Sequence, residues 1–186
     1  MIKEFNTYLA FVDAEFWKRL ILENGTLKSF KKGEEFLIMG NVGKYVGLIK
    51  SGSVKYVAYT SHHNEKIVGL ETVGGFAASW PFCLHEIPSL VSIIANTDSE
   101  IYCLPVSILK DFSRDNRELE KKIFQSTEQV FYTAYERLIG FYIRTPKERY
   151  DDLLKKCPKV FEIFDLKDIA SFLNITPQHL SRLKKC

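Results

Sequence analysis

The chain has 186 residues, of which 46% are hydrophobic and 26% charged, and a formal net charge of +3. That is room for one large folded domain or two modest ones, with the composition of an ordinary globular protein. The overall charge does not argue for nucleic acid, and no apolar run approaches the length of a membrane span.

The elements, taken in chain order, fall into three regions. The first stretch, Met1–Ala10, carries Lys3 and Glu4 and lacks the apolar core of a signal peptide, which points to a cytoplasmic protein. Residues 13–22 have helical spacing, with Phe16, Leu20 and Trp17 toward one face. Short β-rich runs follow at 26–30, 35–39, 45–50, 54–59 and 66–71, then at 90–95 and 100–104. Ser51-Gly52-Ser53 reads as a tight hairpin, and the regular strand spacing suggests a barrel or jelly roll. The second region, 107–142, is one long helical pattern. Leu119, Ile123, Ser126, Val130, Thr133, Arg137 and Phe141 recur at steps of four and three residues, a seam suited to pairing between two subunits. A second stripe of Phe124, Phe131, Tyr135, Leu138 and Tyr142 is expected to pack on the subunit's own body.

The third region opens on Thr145-Pro146, a cap and first-turn pair, and continues as a helix to Lys156. Val160–Phe164 reads as a link offering at most a reduced strand. Leu166, Ile169, Ala170 and Leu173 then share a helical face, Asn174-Ile175-Thr176 turns the chain, and Thr176-Pro177 starts a last helix. Two short helices across a tight turn need a small residue at the crossing, here Ala170, and apolar residues inside, here Ile175, Leu180 and Leu183. The outer face shows Gln178, His179, Ser181, Arg182 and Lys185. Arginine bonds guanine bidentately and glutamine does so for adenine, so Gln178 and Arg182 are candidate base readers, with Ser181 a third. Thr176, Ser181, Lys184 and Lys185 suit phosphate.

Charge is distributed accordingly. Residues 144–186 carry a net charge of +4 and residues 1–143 a net of −1. A basic end on a neutral body fits contact with phosphate, and fits a solvated lysine-rich tail equally well. The cysteines Cys83, Cys103, Cys157 and Cys186 match neither zinc nor iron–sulfur spacing, so no metal is expected.

The run 169–185 (IASFLNITPQHLSRLKK) resembles the helix-turn-helix of Crp/Fnr-type bacterial regulators. Phe30-Lys-Lys-Gly-Glu34, Ile49-Lys-Ser-Gly-Ser-Val54 and Ala95-Asn-Thr-Asp-Ser-Glu-Ile101 are similar to the family's barrel strands, so the likeness spans nearly the whole chain. It implies an α+β chain with a cyclic-nucleotide-binding-type β-barrel or jelly roll at 1–106, a dimerisation helix at 107–143 and a helix-turn-helix DNA-binding domain at 144–186. It implies a homodimeric transcription regulator, double-stranded DNA with a near-palindromic promoter site as partner, RNA polymerase as a further one, and no membrane. Such a domain normally has a β-hairpin wing, for which the sequence after the last helix leaves no room.

In the family's nucleotide-binding members a glutamate holds the ribose and an arginine the phosphate. Here the corresponding stretch, 74–92, has no arginine, and the arginine position falls near Ser89. Glu71 and Glu86 do not match the ribose glutamate. An anionic phosphate buried without a cation is unfavourable, so no cofactor is expected and cyclic AMP is expected to bind weakly or not at all. Phe76, Trp80, Phe82 and Leu84 can line an apolar pocket, with Ser79 and His85 as polar handles. They can equally fill that space as core. Two other function classes are weighed: a sensor or interaction protein that binds another small effector with weak or no DNA binding, and an enzyme. No catalytic triad pattern, phosphate loop or paired-carboxylate signature supports the enzyme.

Overall fold

The computed structural model describes residues 13–185, so the expectations for Met1–Ala10 and for Cys186 lie outside the described residues. The first helix, α1 (Ala14–Asn24), is capped by Asp13, whose carboxylate accepts from the Phe16 amide, and it buries Trp17 and Ile21. Eight strands follow: β1 (Thr26–Phe30), β2 (Glu35–Leu37), β3 (Tyr45–Ser51), β4 (Ser53–Tyr59), β5 (Glu65–Thr72), β6 (Phe76–Ala77), β7 (Ser92–Ala95) and β8 (Ser99–Pro105). They form two antiparallel sheets of four strands, ordered β1-β8-β3-β6 and β2-β7-β4-β5. Of the two expected forms, barrel or jelly roll, the strands make an open two-sheet jelly roll and not a closed barrel. The edge strands do not pair across, and one edge, β5, is covered by a helix of the C-terminal unit.

The expected hairpin at Ser51-Gly52-Ser53 is a corner between sheets, because β3 pairs with β8 while β4 pairs with β5 and β7. Gly52 turns there with φ of 83°, and a side chain at that position would strike Ser99 Oγ and the Asp98 carbonyl. Ser53 secures the corner: its amide donates to Thr97 Oγ1 and to Ser99 Oγ, each at 3.1 Å.

Three apolar layers result. Leu37, Ile49, Val54, Ile93, Ile101 and Cys103 fill the space between the sheets. Val46, Leu48 and Leu104 alternate to the opposite face, where they meet Trp17, Ile21 and Leu109 of the flanking helices. Across the other sheet, Val57, Ile67 and Leu70 pack against the C-terminal unit. Sheets covered on both outer faces explain the unbroken apolar run in β3.

The single long helix expected over 107–142 is two. Helix α2 (Val106–Ser113) buries Val106 and Leu109, and α3 (Arg117–Ile143) restarts after a break at 114–116. Asn116 caps α3 by accepting from the Leu119 amide at 3.0 Å. Four short helices complete the described residues: α4 (Pro146–Lys156), α5 (Val160–Ile163), α6 (Leu166–Phe172) and α7 (Pro177–Leu183). The link expected to offer a reduced strand is α5. The Phe164 amide bonds the Val160 carbonyl, and both side chains are buried.

Candidate nucleic-acid face and candidate ligand cavity

The C-terminal unit is held from inside. Thr145 and Glu148 form a reciprocal capping box at the start of α4. Helices α6 and α7 cross over Ala170, which is fully buried, and Ile169, Leu173 and Leu180 are buried beside it. Asn174 takes a left-handed turn with φ of 53°, and the Ile175 amide bonds back to the Ala170 carbonyl. Thr176 Oγ accepts from the His179 amide at 3.2 Å and so caps α7, with Pro177 in its first turn. This leaves Gln178, Arg182, Lys184 and Lys185 exposed and Ser181 half-buried. Gln178 and Arg182 stand one turn apart on one face, and the Lys184 ammonium lies 4.2 Å over the Phe161 ring. The six proposed DNA-contacting positions therefore lie on or beside α7, with Thr176 also serving as its cap.

Helix α3 reverses the expected roles of its two stripes. Leu119 is only 3% exposed and packs with the sandwich-side cluster, joined by Ile123. Ser126 accepts from the Trp17 indole at 2.9 Å. Val130 lines a cavity, and Arg137 donates to the carbonyls of Val68 and Phe172. Phe141 is half-buried, with the Arg137 and Arg149 guanidiniums stacked near its ring. The seam read as inter-subunit thus faces the chain's own body. Phe124, Phe131, Tyr135, Leu138 and Tyr142, read as inward, are exposed, Tyr142 to 80%. Both stripes are apolar, and periodicity gives their angular separation without saying which one meets the body.

A cavity of about 570 Å³ lies between the sandwich and α3. Of the six pocket residues expected from sequence, Phe76, Ser79, Trp80, Phe82 and Ser89 line it and His85 does not. His85 is exposed at the end of a 3-10 turn, Phe82–His85, and Leu84 points into the α1–α2 cluster. Walls unforeseen from sequence come from Trp17 of α1, Glu71 of β5, and Val130, Phe131 and Ala134 of α3. Local pattern could not bring together residues separated by a hundred positions.

The polar groups around the cavity are largely engaged. The Trp80 indole donates to Thr127 Oγ1 at 3.1 Å. Tyr56 donates to the Phe76 carbonyl at 2.9 Å and receives the Ala78 amide. Ser89 Oγ donates to the Val91 carbonyl. Ser79 is different: it is 7% exposed, and its Oγ has no hydrogen-bond partner. Among the described lining residues the single charged side chain is Glu71, which accepts from the Thr72 amide and lies against Gly75. None is Lys or Arg. Glu86 is outside the cavity, paired with Lys110 at 2.7 Å.

The sequence also gave no sign of how the C-terminal unit docks. Helix α6 lies on β5, where Ser171 Oγ accepts from the Ile67 amide at 2.9 Å. Lys55 on β4 and Asp168 on α6 form an ion pair at 3.2 Å, with side chains 16% and 7% exposed. Asn96 donates to the Ile163 carbonyl at 2.9 Å.

The family description "Cyclic nucleotide-binding domain" matches residues 27–116, just under half of the chain. No curated protein matches the sequence. Among solved structures, FixK2 from Bradyrhizobium japonicum aligns with a TM-score of 0.74 at 19% identity, covering 87% of this chain and 83% of that one. A putative cAMP-binding regulatory protein from Silicibacter pomeroyi aligns with a TM-score of 0.66 at 22% identity, over 91% and 78% of the two chains. A CRP/FNR-family transcriptional regulator from Thermus thermophilus aligns at 0.61 with 20% identity, over 85% and 83%. Residues 27–116 thus match the cyclic nucleotide-binding domain description, and the chain shares the fold of these solved regulators. Among the described residues no helix is long and apolar enough to cross a membrane.

Proposed function

We propose that this chain, with its Crp/Fnr-type fold and cyclic nucleotide-binding domain, is a cytoplasmic DNA-binding transcription regulator that acts as a homodimer. The observation that carries the reading is α7. Buried Leu180 fixes its inner side, and Gln178 and Arg182 stand exposed together on its outer side. As a recognition helix it would enter the major groove, with Lys184 and Lys185 toward phosphate. Two such helices in a dimer would meet half-sites about one turn, roughly 34 Å, apart on a near-palindromic promoter. RNA polymerase is then the further partner through which binding acts on transcription. In this reading α3 supplies the dimer contact through the exposed Phe124–Tyr142 stripe.

Cyclic AMP is not the signal in this proposal. Among its described lining residues the cavity offers no cationic side chain to a phosphate.

A Gln178→Ala/Arg182→Ala double variant tests the DNA reading. In a gel shift against the chain's own promoter fragments it should lose sequence preference, by about tenfold or more for two bidentate base contacts. Residual non-specific binding should keep its salt dependence. Unchanged promoter preference would overturn the assignment of α7. Absence of any binding by the unaltered chain would favour a sensor without DNA output.

A further inference from the structure

We propose that the corner between α4 and α5, carrying Lys155 and Lys159, is a second DNA contact that grips the sugar-phosphate backbone beside the groove entered by α7. The inference rests on the reading of α7 as a recognition helix. It extends that reading to a segment where the sequence promised only a link.

The corner is fixed from inside. Leu153, Cys157 and Val160 are buried. The Cys157 amide bonds the Leu153 carbonyl at 2.8 Å, and the Val160 amide bonds the Cys157 carbonyl at 3.1 Å. Lys155 and Lys159 fall between these anchors and stand exposed. Their stems therefore start from an ordered backbone rather than from a loose tail.

Its position follows from Phe161. That ring lies 6.3 Å from the Tyr150 ring of α4 and carries the Lys184 ammonium 4.2 Å above it. The cation–π contact seats α5 against the C-terminal end of α7. Lys159 is two residues from Phe161, at most about 7 Å along the chain. The major groove is about 12 Å wide, and a helix with its side chains is about 10–12 Å across. A helix seated there has a phosphate row along each flank, so an element packed at its end meets one of those rows.

The distribution of ion pairs points the same way. Of the acids in this unit, Glu148 is held in the capping box. Asp151 pairs with Lys147, Asp152 with Lys156 and Arg144, and Asp168 with Lys55. Glu162 and Asp165 are exposed. Lys155, Lys159 and Lys185 make no ion pair among the described residues. Such cations can take up phosphate in exchange for counterions without first breaking an internal pair. With Lys184 they make a basic edge that runs from the end of α7 to the end of α4, against which Glu162 is the acid set within the corner.

The test uses the full chain and the anisotropy of two labelled duplexes, one from its own promoter region and one of unrelated sequence, over a range of salt concentrations. Lys155→Gln/Lys159→Gln should lower the salt slope by about 0.9 per lysine, about 1.8 per protomer bound. It should weaken both duplexes alike, roughly tenfold at low salt, and keep the preference between them. Circular dichroism should be unchanged, since both lysines are exposed. The control is Arg117→Gln/Lys121→Gln, which removes the same charge near the start of α3. Those residues lie 26 and 22 positions before Ile143, roughly 33–39 Å along a helix, and their loss should leave the slope intact. Glu162→Gln should tighten both duplexes about two- to threefold. An unchanged slope in the Lys155/Lys159 variant overturns the proposal and leaves the α7 reading standing. An equal fall in the control overturns it too, because net charge would then suffice. If the unaltered chain binds neither duplex, both readings fall. Binding to phosphatidylserine vesicles that the Lys155/Lys159 variant loses, with DNA binding unchanged, would assign the corner to a membrane surface instead.

Discussion

Three cysteines show how little a residue's identity fixes about its chemistry. Cys83, Cys103 and Cys157 are buried free thiols. Burial pushes Cys83 and Cys103 up to about 11 and also raises Cys157. In an unfolded chain a thiol ionises near ~8.5. Because the folded pKa is the higher one, the thiols favour the native state below the unfolded value. That contribution is lost as pH rises from about 8.5 toward 11. With Cys186 replaced by serine, a thiol-specific reagent at pH 8 should label the native protein slowly and the denatured protein at once. Rapid labelling of the native protein would show that these thiols are accessible. The sequence could exclude a metal spacing for these residues, but their burial depends on strands and helices distant in the chain. Thr176, by contrast, was readable as a cap, because capping is local: its partner is three residues away. Ser79 carried no local signal, since lacking a partner is a property of everything around it.

At the scale of the element, α3 separates what periodicity can reveal from what it cannot. A 27-residue helix with two apolar stripes must bury one and expose the other unless a second chain covers it. The stripe with Leu119, Ile123 and Val130 meets the chain's own sandwich and cavity, while Leu138 and Tyr142 face outward. If the outward stripe is the dimer contact, a Leu138→Asp/Tyr142→Asp variant should sediment as a monomer with its helix content kept, while the unaltered chain sediments as a dimer. A dimeric double variant, or a monomeric unaltered chain, would remove α3 as the interface. The break at 114–116 lies on the same border between local and distant causes. Asn116 is a good cap wherever it occurs, but Val106 and Leu109 draw α2 onto the sandwich and set a separate direction for it.

For the molecule as a whole, the docking of the C-terminal unit on β5 matters most. The unit shares one apolar cluster with Val57, Ile67 and Leu70, and Lys55–Asp168 closes it with a mostly buried ion pair. Breaking a fully buried pair removes several kcal/mol and an exposed one almost nothing. For this intermediate burial, Asp168→Ala should destabilise the chain by about 2 kcal/mol and lower Tm by about 4–8 °C. Replacing both partners, as Lys55→Met/Asp168→Leu, should recover most of that loss, because no charge is left without its partner. Calorimetric melting of the three proteins checks this; equal melting of Asp168→Ala and the unaltered chain would mean that the apolar contacts alone hold the unit.

The sequence by itself determined the strand-rich first half, the long helical middle and the pair of helices across Asn174-Ile175-Thr176. It also showed that no arginine stands in the stretch where a nucleotide phosphate would sit. Each of these is written in neighbouring residues, through periodicity, caps and turns. Tertiary structure alone decided that the sheets stay open, that β3 and β4 part at Gly52, which stripe of α3 faces inward, and that α6 docks on β5. It alone formed a cavity of about 570 Å³ between the sandwich and α3, and left Ser79 Oγ buried without a partner. These features depend on which surfaces meet across tens to more than a hundred residues, and a local pattern does not encode that choice.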